Sequence, residues 1–424
     1  MSSVLDISPL TRVEGHGRIS VYLDGQRVEG VRLVLAESPR LFETLLLGKD
    51  YREVPEIICR ICSICSTVHR VVSLLAIEKA LDVGVSEQVR LYRELIVNGG
   101  HIQSHALHLY CLVLPDMLGV NGFAEMAAKA PEELQMGLRI KAVGNLIQET
   151  VGGRLIHPVT LIPGGMGKPV NKSKLLKIRE ALVDILPEAW KTYRLFKSAH
   201  KGGELPCPVF MAVRAEGSPT FFGERLFIGQ DWSAPIEQYR EILNEQAVAS
   251  SNAKKTAIKG NPVTVGALAR LNLGLSLSAK AQQALLESAD QIMNRNILSN
   301  NLAQAIELVH TVEHSLEIVE TLLASNFERV SLPRITPFRS SGSAAIEAPR
   351  GTLIHSYAFD DQGRCSGADI VTPTVINQAA MQDDLLALAQ SMGGGDAQAL
   401  AFALERLART YDPCISCAVH LIRL

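Results

Sequence analysis

Two pairs of cysteines with the same internal spacing lie near opposite ends of this chain of 424 residues. Cys62 and Cys65 form the first pair, and Cys414 and Cys417 form the second. A gap of two residues lets both thiolates of a pair face one metal ion, so the two pairs could supply four sulfur ligands to one site. Thiolates are soft ligands that select zinc, iron or nickel over hard cations.

Spacing alone leaves three interpretations of these cysteines open. A structural zinc site needs nothing more than the four thiolates. Disulfides are disfavoured, because the N-terminus has neither the charged segment nor the apolar run of a signal peptide. A redox-active metal centre is favoured by the polar residues that flank the two pairs. These residues are Arg60, His69, Asp412 and His420.

A third motif, near the N-terminus, completes a recognisable set. Thr11-Arg-Val-Glu-Gly-His16 precedes Arg60-Ile-Cys-Ser-Ile-Cys65, and Asp412-Pro-Cys-Ile-Ser-Cys417 closes the chain. With these elements in this order, the chain resembles the large, catalytic subunit of nickel-iron hydrogenases over essentially its whole length. The combination is highly specific, and it moves structural zinc well behind a nickel-iron centre.

Further segments agree with this resemblance. Glu347-Ala-Pro-Arg-Gly351 resembles the segment that places an arginine over the metals in that family. Three others resemble its cytoplasmic branch, which is coupled to a soluble cofactor: Gln103–His108, Val265–Asn272 and Thr372–Asn377. The respiratory branch usually has an aspartate where Ser104 stands, so the role of that aspartate is not carried over to this chain.

The resemblance implies a role for each cysteine. Cys62 and Cys414 would be terminal nickel ligands, while Cys65 and Cys417 would bridge the nickel to an iron that carries carbon monoxide and cyanide. Reversible heterolytic cleavage of H2 needs an electron-poor metal and a nearby base. We expect Cys414 to be that base, because a terminal thiolate is more basic than a bridging one.

Two further residues are expected to take part in catalysis. Glu14 is the expected next proton acceptor, since burial can tune a carboxyl group to pass protons on; the alternative is an exposed glutamate in a strand. Arg350 is expected above the metals, where a buried guanidinium could polarise hydrogen and bind the cyanides. Its alternative is a structural salt bridge with Asp412, the other expected cofactor-binding residue.

By the same resemblance, Glu43 and His420 would bind a magnesium ion, which takes few protein ligands and several waters. His16 and His69 are expected to hydrogen-bond to ligands or backbone. His157 either faces an electron-relay cluster in a partner or is a capped loop histidine. Only four residues follow His420, which is short for the cleavable extension of many large subunits.

These residues must be positioned by an α+β fold that is mainly α, with a core of long helices and small mixed α/β pieces at both ends. Alternating residues predict a β-hairpin of Gly17–Leu23 and Val28–Leu35. Helical periodicity predicts helices over Glu87–Leu118 and Glu133–Val151, and a third over Asn171–Lys201 that is interrupted near Pro187. The same periodicity over Lys280–Ala324 predicts one long helix or two stacked helices. Two closing helices are predicted over 375–393 and 396–410.

We expect five parts along the chain, joined by the thiolate site. They are an N-terminal hairpin region with the first cysteine pair (1–70), a helical core (71–205), a mixed α/β insertion (206–278), long core helices (279–328) and a C-terminal α/β region with the second pair (329–424).

Composition excludes several classes of partner. A net charge of −2 and a pI near 6.6 leave no basic field for nucleic acid. No apolar run reaches the roughly 18 residues of a membrane span. Eight cysteines without a secretion signal indicate a reducing compartment, so we expect a cytoplasmic protein.

No other cysteine set could hold an iron-sulfur cluster, so electrons must leave for another polypeptide. The resemblance implies a hydrogenase small subunit with iron-sulfur clusters and a flavoprotein, or diaphorase, that reduces a soluble carrier such as NAD(P). Maturation proteins would supply the iron's ligands. Two alternatives keep the fold: a regulatory hydrogen sensor, and a complex I-like electron-transfer scaffold, against which the four retained cysteines argue.

Overall fold

The computed structural model describes residues 2–37, 41–120, 122–200, 202–207, 209–246, 254–325 and 332–418. Helices predominate and small antiparallel sheets lie beside them, which confirms the expected α+β class. The strands are β1 Ser2–Ile7, β2 Gly17–Asp24, β3 Arg27–Leu35, β4 Leu161–Ile162, β5 Gly165–Met166, β6 Met211–Arg214, β7 Arg225–Ile228, β8 Trp232–Pro235, β9 Asn244–Gln246, β10 Lys255–Ala257, β11 Ser340–Ala348, β12 Gly351–Phe359 and β13 Cys365–Val371. The helices are α1 Phe42–Leu46, α2 Val54–Ile58, α3 Ser66–Ala80, α4 Glu87–Leu107, α5 Leu114–Leu118, α6 Phe123–Lys129, α7 Pro131–Gly152, α8 Lys172–Ala199, α9 Tyr239–Ile242, α10 Ala267–Asn272, α11 Ala279–Glu287, α12 Ala289–Met293, α13 Asn300–Ala324, α14 Pro373–Met392, α15 Ala397–Thr410 and α16 Ile415–Ala418.

The core consists of the long helices α4, α7, α8 and α13, which pack against one another. Helix α13 lies in the middle, and its apolar residues Leu302, Ile306 and Val309 are fully buried. Because α13 is covered on most sides, its polar residues Gln304 and Glu307 are also buried. Such groups need hydrogen-bond partners inside the protein, and these partners come from neighbouring elements.

The predicted helix over Glu87–Leu118 is confirmed as α4, a π-helical turn at His108–Val113 and α5. π-Helical turns are rare and occur often at functional sites. Among the described residues, no single helix has both the length and the apolar character needed to cross a membrane. The run Glu87–Leu118 passes this test only together with Phe123–Lys129, from which it is bent by 74°.

Two helix predictions are wrong in detail. The interruption expected near Pro187 is absent, because α8 continues through this proline and buries one face along its length. Packing of that face outweighs the hydrogen bond that a proline removes. The segment Lys280–Ala324 is neither one helix nor two. It breaks after Glu287, and again before α13, where Asn296 caps a short 3-10 turn and Arg295 adopts a φ of 58°.

Two three-stranded sheets present the loops that carry chemistry. The predicted hairpin is confirmed as β2 and β3, and the unpredicted β1 pairs with the other edge of β2. Strands β11 and β12 form a hairpin that packs on α3, while β13 pairs with β12. The tight turn of that hairpin contains Pro349 and Arg350. Both sheets therefore approach the cysteines from opposite ends of the sequence.

Candidate metal centre

The two cysteine pairs meet in one buried cluster, as the spacing predicts. All four Sγ atoms lie within 4.8 Å of one another. Cys62 follows α2, and Cys65 directly precedes α3, whose N-terminal partial positive charge favours a thiolate. Cys414 and Cys417 lie at the short helix α16. Among the described residues, this is the one group of His, Cys, Asp and Glu side chains close enough to hold a metal ion.

The sulfur distances suit a metal. Cys414 Sγ lies 3.5 Å from Cys62 Sγ, 3.8 Å from Cys65 Sγ and 3.0 Å from Cys417 Sγ. Four sulfurs at about 2.3 Å from a tetrahedral metal would lie about 3.8 Å apart. The donor set therefore fits a thiophilic metal with little rearrangement.

The electrostatics of the thiols suit the binding of a metal cation. Burial raises the pKa of Cys414 and of Cys417 well above the ordinary value. Hydrogen bonds from these two cysteines hold the pKa of Cys65 well below it. Neighbouring sulfurs this close share protons, and they become fully ionised only when a metal cation takes the place of those protons.

A carboxylate touches the cluster from the N-terminal motif. Glu14 Oε2 lies 3.1 Å from Cys414 Sγ and accepts a hydrogen bond from the Ser416 amide at 3.0 Å. The backbone carbonyl of Glu14 also accepts from the Ile415 amide at 3.0 Å. Gly15 permits this contact, since it has a φ of 83° and a Cβ there would lie 2.8 Å from Ile415 Cβ.

A guanidinium touches the cluster from the hairpin turn. Arg350 is buried, and its Nη1 lies 3.4 Å from Cys65 Sγ. Its Nε donates to the Asp412 carbonyl at 2.9 Å, and its Nη2 lies 3.1 Å from Asp412 Oδ1. Burial alone would lower the pKa of Arg350, but Asp412 and the thiolates outweigh it and hold the pKa well above its ordinary value. Both the salt bridge and the contact with the cluster are therefore present.

Asp412 has two further neighbours that sequence reasoning missed. Gln304 Nε2 donates to Asp412 Oδ2 at 3.2 Å, and His108 Nε2 lies 3.9 Å from Asp412 Oδ1. His108 belongs to one of the segments that carry the family resemblance, but no local pattern around Gln304 sets it apart from other polar helix residues. A third missed residue is Thr374, whose hydroxyl accepts from the Cys414 amide at 2.9 Å.

Of the two expected magnesium ligands, only Glu43 lies within the described residues. Glu43 lies in α1, and its Oε1 accepts a hydrogen bond from the Ile370 amide at 2.9 Å. Burial raises the pKa of Glu43 to about 7, against the lowering effect of nearby Lys254. A cation beside this carboxylate would relieve its desolvation, so the residue fits a ligand role. His420 lies outside the described residues.

The remaining histidines differ in their surroundings. His69 is buried, with Nδ1 3.1 Å from His355 Nε2. His16 is on the surface, where Nδ1 lies 2.7 Å from a carboxylate oxygen of Glu37. His157 has a φ of 57°, and its ring Nδ1 lies 3.1 Å from a backbone carbonyl.

Comparison with known proteins places this cluster in a family. The model of the family described as nickel-dependent hydrogenase matches residues 40–148 and 231–420, and a HoxL-like model matches residues 4–37. The chain belongs to the nickel-dependent hydrogenase family. The matched ranges of the first model include all four cysteines, so this hydrogenase subunit retains the complete thiolate set.

Relatives of this hydrogenase align over nearly its full length. Sulfhydrogenase 2 subunit alpha of Pyrococcus furiosus is 39% identical, over 99% of this chain and 100% of the relative. The NAD-reducing hydrogenase HoxS subunit beta of Cupriavidus necator is 27% identical, over 100% and 96%. A crystal structure of an NAD+-reducing [NiFe]-hydrogenase in the H2-reduced state superposes with a TM-score of 0.90 at 26% identity, covering 99% of both chains. The Ni-Fe-Se hydrogenase of D. vulgaris Hildenborough, at 22% identity, shares the fold with a TM-score of 0.80, over 99% of this chain and all of that chain.

Proposed function

We propose that this chain is the catalytic subunit of a hydrogenase complex and cleaves H2 reversibly into protons and electrons at a nickel-iron centre. The observation that carries the proposal is the contact of two unlike groups with one buried thiolate cluster: Glu14 at Cys414 and Arg350 at Cys65. A structural zinc site needs neither a carboxylate nor a guanidinium against its sulfurs. A site that separates a proton from H2 uses both.

In this proposal the four cysteines have two different roles as metal ligands. Cys62 and Cys414 would hold nickel, and Cys65 and Cys417 would be shared with an iron whose carbon monoxide and cyanide ligands would come from maturation proteins. When bound, the centre supplies the Lewis acidity that makes H2 acidic enough to lose a proton. The chain's own task is to accept that proton and to hold the surrounding charge in place.

The proton leaves through Cys414 and Glu14. Cys414 Sγ accepts the proton, and Glu14 Oε2, 3.1 Å away, takes it over. The carboxylate is aimed by the Ser416 amide, and Glu14 is only half-buried, so its outer side can pass the proton toward solvent. Complete oxidation of one H2 yields two protons, which this path would carry, and two electrons, which must leave for a partner subunit.

Arg350 has an electrostatic task, and Asp412 orients it. The fixed planar fork of the guanidinium binds the Asp412 backbone and carboxylate on one side and faces Cys65 on the other. This geometry directs its charge toward the thiolates, where it would polarise hydrogen and could donate hydrogen bonds to the cyanides of a bound centre. Cofactor binding and catalysis therefore share this residue.

The electrons need a partner, because no second metal-binding group occurs among the described residues. We assign the docking face of an iron-sulfur small subunit to the loop around His157. Three apolar residues of this loop are exposed, namely Leu155, Ile156 and Val159. An exposed apolar cluster next to a histidine is suited to a protein interface. A flavoprotein reducing a soluble carrier such as NAD(P) then completes a cytoplasmic complex.

A magnesium ion bound by Glu43 and His420 completes the proposed cofactor set. Glu43 is anchored on the Ile370 amide, and four residues later in the chain Thr374 holds the Cys414 amide. A hard cation at Glu43 would therefore stabilise the segment that supports Cys414.

Metal analysis tests the proposal. Purified active complex should contain about one nickel per chain, and Cys65→Ser should lose it because a hydroxyl is a poor substitute for a bridging thiolate. Cys111→Ser is the matched control, since this half-buried cysteine lies outside the cluster. One equivalent of zinc without nickel in active material would refute the proposal.

The docking face is tested separately. Ile156→Glu should reduce co-purification of the small subunit, since a buried charge disfavours an apolar interface. Leu286→Glu is the control, because Leu286 is exposed elsewhere on the surface. Equal recovery of the small subunit with both variants would remove this loop from the interface.

A further inference from the structure

A buried row of hydrogen bonds reaches the Asp412 carboxylate oxygen that Arg350 does not bind. His108, Gln304 and Asp412 are all at most 2% exposed. His108 Nδ1 lies 2.5 Å from Gln304 Oε1, and Gln304 Nε2 lies 3.2 Å from Asp412 Oδ2. The other ring nitrogen, His108 Nε2, lies 2.8 Å from the carbonyl oxygen of Arg409. In each of these three contacts one atom donates a proton and the other accepts it. Together the contacts determine which atom of each pair carries the proton.

The direction is set by Asp412. Its Oδ1 accepts from the guanidinium of Arg350, which has only donors, and the Gln304 amide presents its nitrogen to Asp412 Oδ2 and its oxygen to His108. The oxygen of Gln304 accepts from Nδ1, and the carbonyl of Arg409 accepts from Nε2. A histidine that donates from both ring nitrogens is an imidazolium.

We propose that His108 is held as a buried imidazolium and that, with Gln304, it positions Asp412 and through it Arg350. The inference deepens the proposed function and rests on it, because the aimed group is the guanidinium above the thiolates. Among the described residues, the hydrogen bonds of the His108 and Gln304 side chains run to each other, to Asp412 and to the Arg409 carbonyl, not to the cysteines. Their effect is to fix one rotamer of the carboxylate that Arg350 binds.

The charges around His108 are consistent with a fixed proton. Helix α13 contributes the neutral amide of Gln304, and α15 contributes the Arg409 carbonyl, while the Arg409 guanidinium turns away to the carboxylate of Asp116 at 2.7 Å. The loop before Cys414 contributes Asp412, whose Oδ1 lies 3.9 Å from His108 Nε2 and 3.1 Å from Arg350 Nη2. The Asp412 carboxylate therefore lies between the two cations, His108 and Arg350. Among the described residues, the only other anionic groups within bonding distance of either cation are the thiolates that Arg350 faces.

The main chain provides the orientation that this row needs. His108 is the first residue of the π-helical turn between α4 and α5. An extra residue in a turn changes the direction in which the next side chains point, and such turns are rare and frequent at functional sites. Here the first residue of the turn faces both α13 and α15.

Neutron crystallography of the assembled hydrogenase complex tests the proton count directly. In crystals exchanged into heavy water, we expect nuclear density for a deuteron on both Nδ1 and Nε2 of His108. A deuteron on one nitrogen alone, with the Gln304 amide reversed, would overturn the proposal. This result does not depend on turnover, so it is separable from a failure of the proposed function, which would appear as absent nickel or absent H2 oxidation in the wild-type complex.

The positioning role is tested with His108→Gln in the same complex. Its matched control is His101→Gln, because His101 is equally buried on the preceding helix but donates only to the Val97 carbonyl. We expect His108→Gln to retain nickel, to shift the infrared bands of the iron's carbon monoxide and cyanide, and to lower turnover per nickel by about 10- to 100-fold, the usual effect of losing an orienting partner. The control should keep the band positions and the turnover per nickel. Identical bands and turnover in both variants would overturn the positioning role.

Discussion

Replacing Arg350 by lysine separates an anchoring role from a catalytic one. The guanidinium makes three contacts, each from a different nitrogen: Nε to the Asp412 carbonyl, Nη2 to the Asp412 carboxylate and Nη1 to Cys65 Sγ. A lysine ammonium is a single point of charge on a flexible stem, so it cannot reach both sides at once. We expect it to stay with Asp412, its full anionic partner, and to give up the contact above the thiolates.

The size of the effect follows from that one lost contact. A hydrogen bond between charged groups contributes about 1.5–3 kcal/mol. If this interaction acts in the transition state, its loss slows the reaction by roughly 10- to 150-fold at about 1.4 kcal/mol per factor of ten. We therefore expect Arg350→Lys to lose on the order of 10²-fold in H2 oxidation per nickel, since electrostatic groups of this kind contribute about that much.

The assay is the turnover of H2 oxidation normalised to bound nickel, with the infrared bands of the iron's ligands as an assembly control. Arg93→Lys is the matched variant, because Arg93 is equally buried and pairs with Glu78 at 2.5 Å, at a site without thiolates. It should lower stability and leave turnover per nickel near the wild-type value. Near-normal turnover in fully loaded Arg350→Lys would refute the reasoning and reduce Arg350 to an anchor.

Three further results are expected. Glu14→Gln should keep nickel but suppress H/D exchange of H2 with water, because the amide retains hydrogen bonding without acid-base capacity. An exchange rate equal to that of the wild type would exclude Glu14 as the proton exit. Fully buried Arg270 donates to both Glu307 oxygens at 2.6 Å. Glu307→Gln should lower the free energy of unfolding by about 3–5 kcal/mol in denaturant titrations, because Arg270 would lose its main counter-charge. A change below about 1 kcal/mol would contradict this prediction. Burial raises the pKa of Asp384 from 3.8 to about 6, although Tyr411 donates to it, so the folded state binds this proton more tightly than the unfolded chain. Stability should therefore fall by about 1–2 kcal/mol as the pH rises from about 4 to about 6, and Asp384→Asn should flatten this slope in denaturation measured across that range.

The sequence alone determined the elements whose signals are local. The two-residue gap in each cysteine pair gives thiolates that face one point, and alternation around Asp24 predicts the β2–β3 hairpin that the structure contains. The closing helices and the run from Glu87 to Leu118 follow from apolar periodicity. Together with the ordered motifs, these signals were enough to predict the α+β class and the hydrogenase family.

Local signals failed where packing outweighs them. Pro187 reads as a helix interruption, yet the buried face of α8 carries the helix through it. The segment Lys280–Ala324 reads as one long helix or two stacked helices, yet it breaks after Glu287 and its main chain turns again at Arg295. In both cases the deciding free energy comes from residues that are distant in the sequence, which periodicity does not contain.

Tertiary structure alone decided how the site is supported. Gln304 and His108 are ordinary helix residues until α13 and the π-helical turn bring them to Asp412. A buried carboxylate, amide and imidazole must satisfy one another's hydrogen bonds, and that requirement fixes which groups donate and which accept. The identities of the residues are written in the sequence, but their pairing depends on the close packing of helices separated by about 200 residues.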